Sequence, residues 1–506
     1  MRRDAIADTP IEFRLGVVLI MLVAAFFSLS WRGHLLTWDE AMNLNAARAF
    51  ASGGSDAYSS WFWRYPPLLQ LLLQLLSPLK AGLMARAELL AIGIHLAMLA
   101  AFIGLMKLSL GRVAALASGL LLAVMPGSVF FSLWIKQDVL MSLFGLLALI
   151  AYAKRLHLVS GITLGLAFLS KETAIFYALA IASLWFVQPK AERKWKDIFV
   201  VAGTSILVAG WWFILFSSSL AYHLSSVKGA AADGNTTWDR PWSYYFEALP
   251  YQCGMPAIIL AVCGAVILLM KWHKGHDALQ QIRLWPVALF VPALVILTVS
   301  GSKTPWYTLC FFASIAALAG VGVSGIYRLV VAREQGKTGK AKLAAGAAML
   351  MAFLLTTQSL QALSYEDRMF RMEPGMSWAA TCSREAAMKL NALVKPGERV
   401  IVTPMHYYPA AVQVPCPIFV HYLKEMEVVV KPNTISQSEL VDAVMEYETD
   451  WAMVSPPPLG ASERLLTPLA RHHGLPHWIL KGAVIFKTTN LYITPEMRKA
   501  REEAGK

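Results

Sequence analysis

The feature that most constrains this chain is a series of apolar runs, each long enough to cross a bilayer. A helix needs about 20 apolar residues to cross roughly 30 Å of hydrocarbon. Such runs lie near residues 15–30, 84–106, 113–134, 138–153, 197–217, 254–270, 285–300, 306–327 and 343–362. Two shorter runs, 158–170 and 173–187, flank Ser170-Lys171-Glu172 and predict a helical pair that meets beneath the outer surface. The sequence therefore predicts a mainly α fold, a polytopic transmembrane helical bundle of about eleven spans.

Basic residues fall into alternate loops, and this pattern orients the chain in the membrane. They are Arg2, Arg3 and Arg14, Lys107 and Arg112, Lys154 and Arg155, Lys190 to Lys196, Lys271 to Arg283, and Arg328 to Lys342. Placing all of them in the cytoplasm satisfies the positive-inside rule. The net charge of +13 is therefore explained by the basic residues that set the topology, which argues against a nucleic-acid partner. We expect a multi-pass protein of the cytoplasmic (inner) membrane with its N-terminus inside, and loops 31–83, 218–253 and 301–305 outside.

The tail after residue 363 has a different character. Charge and proline rise, and short apolar stretches at 398–404, 450–456 and 483–489 have the composition of buried strands. Helical patterns at 383–394 and 436–447 lie between them, which predicts a small extracytoplasmic α/β domain over 364–506 after a membrane domain over 1–363. Cys382 and Cys416 lie in this tail and would be able to pair in an oxidising compartment. Whether they form a disulfide or stay reduced is left open by the sequence.

The stretch Thr37-Trp38-Asp39-Glu40 follows the first apolar run. It fits a capping box, in which a threonine and the acid three residues later bond to the first turn of a helix. This structural role explains Glu40 better than Asp39, because the box needs only the threonine and the glutamate. Asp39 therefore remains available as a candidate catalytic acid at the outer surface.

Other charged residues at the outer ends of spans suggest an anion site. Asp138 opens a helix, where an acid also has a capping role, and Lys171-Glu172 lies near membrane depth, where ionisable groups are usually functional. Lys171 and Glu172 would equally be able to neutralise each other. Positive charge outside runs against the general bias, so the candidate phosphate contacts are Arg64, Lys171, Arg240 and Lys303. Contact with lipid headgroups is the alternative for these basic residues.

No motif supports a different chemistry. The sequence has no Walker loop, HExxH or GxSxG. No histidine shows metal-ligand spacing, so the metal requirement is unknown and a divalent cofactor is possible but unsupported. An acid beside basic groups at the outer surface suits transfer of a group from a phosphate leaving group. Because nucleotide-activated donors stay in the cytosol, an outer site needs a donor that crosses the bilayer, such as a lipid-linked phosphosugar.

Several motifs, in order along residues 1–330, resemble those of the GT-C glycosyltransferases, in particular the branch of protein O-mannosyltransferases and aminoarabinose transferases that modify lipid A. They are Asp39-Glu40, Tyr65-Pro66-Pro67-Leu68, Asp138, the segment Gly165 to Lys171, the segment Arg240 to Tyr245, and Ser302-Lys303 with Tyr307. The resemblance implies an inverting transferase that uses a polyprenyl-phosphate sugar. It also implies Asp39 as principal catalytic acid, Asp138 as a second acid, and donor-phosphate contacts from Lys171, Lys303 and Arg64. Arg64-Tyr65 departs from the Glu, Lys or His that family members place before the Pro-Pro pair, so no metal site or acceptor is carried over.

The favoured interpretation is a glycosyltransferase of the cell envelope, acting on an acceptor hydroxyl or phosphate of lipid A, another glycolipid or a protein. A transporter or flippase is the first alternative, because many spans with intramembrane charge also describe a substrate pathway. A non-catalytic scaffold of the same fold is the second. The long first outer loop, the acids on the outer side and the lack of an inverted repeat favour the enzyme.

Overall fold

The computed structural model describes residues 10–30, 38–53, 66–76, 83–216, 241–272, 282–300, 303, 305–333, 386–395, 397–402, 427–430, 446–447, 449–454, 477–480 and 483–487. Two compact units are formed. The first contains Met1–His34 and Ala46–Met369, and the second contains Leu35–Asn45 and Phe370–Lys506. The predicted domain boundary at 363/364 falls on residues outside the described part and stays a prediction.

The described helices follow the apolar runs. They are α1 Pro10–Ser30, α2 Trp38–Gly53, α3 Leu68–Leu75, α4 Leu83–Leu110, α5 Arg112–Ala123, α6 Pro126–Phe131, α7 Gln137–Ala153, α8 His157–Ser170, α9 Ile175–Val187, α10 Trp195–Leu215, α11 Tyr244–Cys253, α12 Met255–Trp272, α13 Trp285–Val299 and α14 Leu309–Arg333. Short 3-10 turns at Glu172–Ala174, Ile282–Leu284 and Pro305–Thr308 precede α9, α13 and α14.

Among the described residues, five helices are long and apolar enough to cross a membrane by themselves, and these lie within α1, α4, α10, the segment ending in α13, and α14. A sixth candidate is the pair α11 and α12, which meet at 108°. Gly254 lies at this bend with a φ of +82°, a backbone conformation that favours glycine. Four shorter apolar helices are also present. The expected multi-pass helical architecture is confirmed, whereas the number of spans stays a prediction, and the run 343–362 lies outside the described residues.

One predicted span differs in detail. The run 113–134 is not a single helix, because α5 ends at Ala123 and α6 begins at Pro126. Met125 is extended, with a ψ of 126°, as expected of a residue before proline. Proline itself has no N–H to continue α5, so it begins a new helix instead.

Glycines allow the helices of the first unit to pack closely. A Cβ at Gly161 or Gly165 of α8 would lie 2.6 Å from the Cβ of Thr204 or Val208 on α10, so α8 and α10 are closely packed at these two positions. Helix α14 packs against α5, α12 and α13. Its spanning segment is 83% buried, which makes it the central helix of the described bundle.

The second unit contains a five-stranded sheet. Its strands are β1 Arg399–Val402, β2 Glu427–Val430, β3 Trp451–Val454, β4 His477–Leu480 and β5 Ala483–Lys487, in the order β2-β1-β3-β5-β4. The pairs β1–β2 and β1–β3 are parallel, and β5 is antiparallel to both β3 and β4. Residues 386–393 form a helix. The strands expected at 398–404, 450–456 and 483–489 are present, while β2 and β4 were not expected.

Candidate active site

Helices α7 and α8 form an antiparallel hairpin that brings Asp138 and Lys171 together. The chain reverses at Lys154–Leu156, where Arg155 has a φ of +59° and the N–H of Leu156 bonds to the carbonyl of Ala151. This 6→1 bond closes the end of α7. Asp138 is in the first turn of α7, and Lys171 directly follows α8. The two residues, 33 positions apart, therefore meet at the open end of the hairpin.

The two side chains form a buried ion pair. Lys171 Nζ donates to Asp138 Oδ1 at 2.7 Å, and the side chains are only 6% and 5% exposed. Each charge also suits its helix end, because an acid is favoured at a helix N-terminus and a cation after a C-terminus. The sequence paired Lys171 with its neighbour Glu172 as a structural alternative. The direct partner of Lys171 is instead Asp138, although Glu172 also interacts with it electrostatically.

The second carboxylate oxygen of Asp138 has no hydrogen-bond partner in the part of the chain that the structure describes. This oxygen, Oδ2, is buried. Asp138 does not cap α7 either, because that helix end has no side-chain capping bond. Since buried polar atoms are nearly always satisfied, an unpaired carboxylate oxygen beside a buried cation is suited to a polar ligand.

Tyr307 adds to this charged centre, and Lys303 lies four residues before it in the chain. Lys171 Nζ lies 5.3 Å from the centroid of the Tyr307 ring, within range of a cation–π interaction. Lys303 is 6% exposed, and its Nζ donates to the carbonyl of Ser300 at 2.7 Å, just after the end of α13. This bond stabilises a helix C-terminus and uses one of the three N–H groups of the ammonium.

Two residues that the sequence did not single out belong to the same region. The first is Cys310, whose buried thiol lies near enough to Asp138 and Lys171 for their charges to act on it. Its Sγ donates to the carbonyl of Tyr307 at 3.1 Å, so it lies one helical turn beyond the tyrosine. Thr173 donates its hydroxyl to Met141 Sδ at 3.6 Å, which ties the turn after Lys171 to α7. The sequence signal that would have indicated Cys310 is its spacing of three residues from Tyr307, which puts both on the same side of a helical turn.

Asp39 and Glu40 lie in the second unit, within the segment Leu35–Asn45. Both are in the first turn of α2. Glu40 is fully buried, whereas Asp39 is partly exposed. The helix begins where the capping box predicted, but Thr37 lies outside the described residues. The greater accessibility of Asp39 is consistent with a division between a structural glutamate and an aspartate able to reach solvent.

Several candidates fall outside the described residues: Arg64, Tyr65, Arg240, Cys382 and Cys416. Their roles, including the disulfide, stay predictions. Within the described part of the chain, no group of three or more His, Cys, Asp or Glu side chains is arranged to hold a metal ion.

These features define a class of protein: a multi-pass helical membrane protein with a buried acid–base pair where two helices meet. The sequence model of the dolichyl-phosphate-mannose-protein mannosyltransferase family matches residues 64–222. This segment includes Asp138 and Lys171. No curated protein sequence matches the chain.

Solved structures match over almost the whole chain. ArnT from Cupriavidus metallidurans bound to undecaprenyl phosphate has a TM-score of 0.64 at 16% identity, over 95% of this chain and 99% of that chain. AglB from Archaeoglobus fulgidus, in complex with an inhibitory peptide and a dolichol-phosphate, has a TM-score of 0.54 at 11% identity, over 95% and 75%. The arabinofuranosyltransferase AftD from Mycobacteria has a TM-score of 0.57 at 12% identity, over 94% and 40%. All three are GT-C glycosyltransferases, so the resemblance seen in the sequence is confirmed and the chain has the GT-C fold.

Proposed function

We propose that this protein is an integral-membrane glycosyltransferase that moves a sugar from a polyprenyl-phosphate donor to an acceptor on the extracytoplasmic face. The observation that carries the proposal is the buried Asp138–Lys171 pair, with its unpaired carboxylate oxygen, inside a GT-C fold. Ionisable groups at membrane depth are costly and mark functional sites. The ArnT and AglB structures were solved with undecaprenyl phosphate and dolichol-phosphate, respectively, which supports a lipid phosphate as the donor's leaving group.

Lys171 and Lys303 are assigned to the donor phosphate. Both ammonium groups are buried, and a buried cation stabilises the negative charge that develops on a departing phosphate more strongly than an exposed one does. Tyr307, beside Lys171, is assigned a supporting role in orienting the ammonium. Arg64 and Arg240 are assigned to the same phosphate from the sequence, with Tyr65 supporting Arg64.

The carboxylates are assigned to the acceptor. Asp39 takes the proton of the acceptor hydroxyl as that oxygen bonds to the anomeric carbon from the face opposite the phosphate. The bond between the anomeric carbon and the phosphate oxygen breaks, and polyprenyl phosphate leaves with the electron pair. This in-line displacement inverts the anomeric centre. Asp138 Oδ2 is assigned to a hydroxyl of the bound substrate, while Glu40 and Glu172 support Asp39 and Lys171.

The acceptor is proposed to be an envelope glycolipid such as lipid A or a protein, through a hydroxyl or phosphate group. The site is assigned to the outer face because basic residues at the opposite ends of the spans satisfy the positive-inside rule. An outer site requires a sugar that is delivered on a membrane lipid, because nucleotide-activated donors stay in the cytosol.

The proposal is tested with the full-length protein in bilayer discs, supplied with polyprenyl-phosphate sugars and cell-envelope extract. Mass spectrometry follows the release of polyprenyl phosphate and the mass gained by any acceptor. We expect turnover by the wild type and a loss of about 10²- to 10⁴-fold in Asp39→Asn, since general-base catalysis contributes about that factor. Glu192→Gln, which alters an exposed carboxylate at the turn end of the hairpin, is the matched control and should retain activity.

Absence of transfer from every donor would remove the transferase proposal. Equal turnover by wild type and Asp39→Asn would remove Asp39 as the base. Movement of an intact lipid-linked sugar between leaflets without its cleavage would instead favour a flippase. A scaffold would show neither activity.

A further inference from the structure

A second charged region lies at the opposite end of the same helices. Helix α13 runs from the turn containing Arg283 to the segment before Lys303, and α14 returns from Tyr307 to Arg328. From Leu309 to Arg328, α14 rises about 29 Å at 1.5 Å per residue, which is close to the hydrocarbon thickness of a bilayer. Arg283 and Arg328 therefore lie at the membrane interface remote from the Asp138–Lys171 centre.

These two arginines line a cleft of about 120 Å³, formed by residues of α4, α5, α12 and α14 and of the turn before α13. Its walls are mainly apolar, with side chains from Leu110, Ile267, Leu284 and Val321. The hydroxyl residue Ser324 also lines it. An apolar wall with polar groups at a few positions is the usual form of a small-molecule site.

The charge of the cleft is uncompensated within the described residues. No aspartate or glutamate is among the lining residues. Arg283 and Arg328 are exposed, and neither guanidinium forms an ion pair or hydrogen bond with another residue that the structure describes. By contrast, Lys107, three residues before Leu110, has an aromatic partner: its Nζ lies 4.8 Å from the centroid of the Phe13 ring. The cleft thus combines two cations with an apolar wall.

We propose that this cleft binds an anionic glycerophospholipid of the leaflet opposite the candidate active site. Guanidinium groups bind phosphate oxygens in a bidentate fashion, and basic pockets between transmembrane helices are sites for anionic headgroups. The apolar wall selects a lipid over a soluble anion, because an acyl chain gains from contact with Leu110, Ile267 and Val321 whereas a free phosphate does not. By the positive-inside rule this leaflet is the cytoplasmic one.

This site is independent of the proposed transfer reaction. A lipid seated in the cleft contacts elements that lie far apart in the chain, so it holds the ends of α4, α12 and α14 together. A ligand that binds only the folded state stabilises it by mass action. The consequence is a selective increase in stability with an anionic lipid.

The test uses the full-length protein in neutral detergent, with native mass spectrometry of bound lipid and thermal unfolding as readouts. The probes are phosphatidylglycerol, phosphatidylcholine of the same acyl chains, and glycerol 3-phosphate. The variants are Arg283→Gln, Arg328→Gln and the double variant. The control is Lys154→Gln with Arg155→Gln, which removes two charges from the hairpin turn at the same end of the bundle. We expect phosphatidylglycerol to bind and stabilise the wild type and the control.

Each single variant should lower the affinity for phosphatidylglycerol about fivefold, and the double variant about 25-fold. The reason is that a basic residue near a membrane surface contributes about 1 kcal/mol to the binding of an anionic lipid. Equal affinity in the double variant and the control would overturn the proposal. Equal binding of phosphatidylcholine would overturn the role of the charge. Equal stabilisation by glycerol 3-phosphate would overturn the lipid assignment. If the double variant does not fold, the single variants decide the question, since each changes one exposed side chain.

Discussion

An ion pair lies at each end of the α7–α8 hairpin. The two pairs have nearly the same N–O distance but differ in how far their side chains are exposed to solvent. At the open end, Lys171 and Asp138 are joined at 2.7 Å and are 6% and 5% exposed. At the turn, Arg155 and Glu192 are joined at 2.8 Å and are 72% and 37% exposed. Distance therefore does not distinguish them. Burial does, because a pair removed from solvent interacts strongly with any charge that enters beside it, whereas an exposed pair is screened by water and salt.

The largest difference between the two pairs is expected when one partner is removed. Lys171→Met should lower the free energy of unfolding by about 3–5 kcal/mol, because it leaves the Asp138 carboxylate buried without its cation. Chemical denaturation of the purified protein in a fixed detergent measures this. A loss below about 1 kcal/mol would mean that the open end is as solvated as the turn, and the comparison would fail.

A smaller effect is expected from the packing that holds Lys171 in place. Gly165→Ala would add a Cβ 2.6 Å from the Val208 Cβ and 3.0 Å from the Ser205 carbonyl on α10. We expect a loss of about 1–3 kcal/mol in unfolding free energy, as for other overpacked sites, together with reduced sugar transfer.

The matched control for this glycine is Gly203→Ala on α10, where the added Cβ meets nothing within 4 Å. This variant should be neutral or more stable by up to about 1 kcal/mol, since alanine is the better helix former. If both alanine variants behave alike in stability and transfer, α8 is not positioned by its contact with α10.

The smallest effect is expected at the hairpin turn. Glu192→Gln should change the free energy of unfolding by less than about 1 kcal/mol, and the difference should shrink further in 1 M salt, where the Debye length is about 3 Å. Unfolding measured at low and high salt checks both statements. A salt-independent loss of several kcal/mol would show that the exposed pair is as strongly coupled as the buried one.

The sequence predicted the helical architecture because a membrane span is a local feature. About 20 consecutive apolar residues suffice, and the break at Lys171 between two short runs was visible in the same way. The strands at Arg399–Val402, Trp451–Val454 and Ala483–Lys487 were also predicted, as short apolar stretches. Glu427–Val430 and His477–Leu480 were missed. Length is not the reason, because Arg399–Val402 and Trp451–Val454 are also four residues long. The two missed strands are the edges of the sheet, and each depends on pairing with a single neighbour that is distant in sequence or only known from the fold.

The candidate site was predicted as a set of residues but not as an arrangement. Asp138, Lys171 and Tyr307 were all named, but the only partner that the sequence offered for Lys171, as an alternative to a functional role, was the adjacent Glu172. The pairing with Asp138 depends on the lengths of α7 and α8 and on the turn at Arg155, which together fix the register of the hairpin. The position of Cys310 beside this pair, and the bond from Lys303 to the end of α13, depend on tertiary packing in the same way.

The central claim is that the buried pair serves the transfer of a sugar and is not retained for stability. The most direct test is the mass-spectrometric transfer assay on Asp138→Leu with Lys171→Met, run beside the wild type and Glu192→Gln. Replacing both members of a buried pair by apolar residues is often neutral or stabilising, so the double variant should be more stable than Lys171→Met alone. We predict that this stable double variant releases no polyprenyl phosphate, whereas Glu192→Gln matches the wild type. Transfer by the double variant at the wild-type rate would contradict the account.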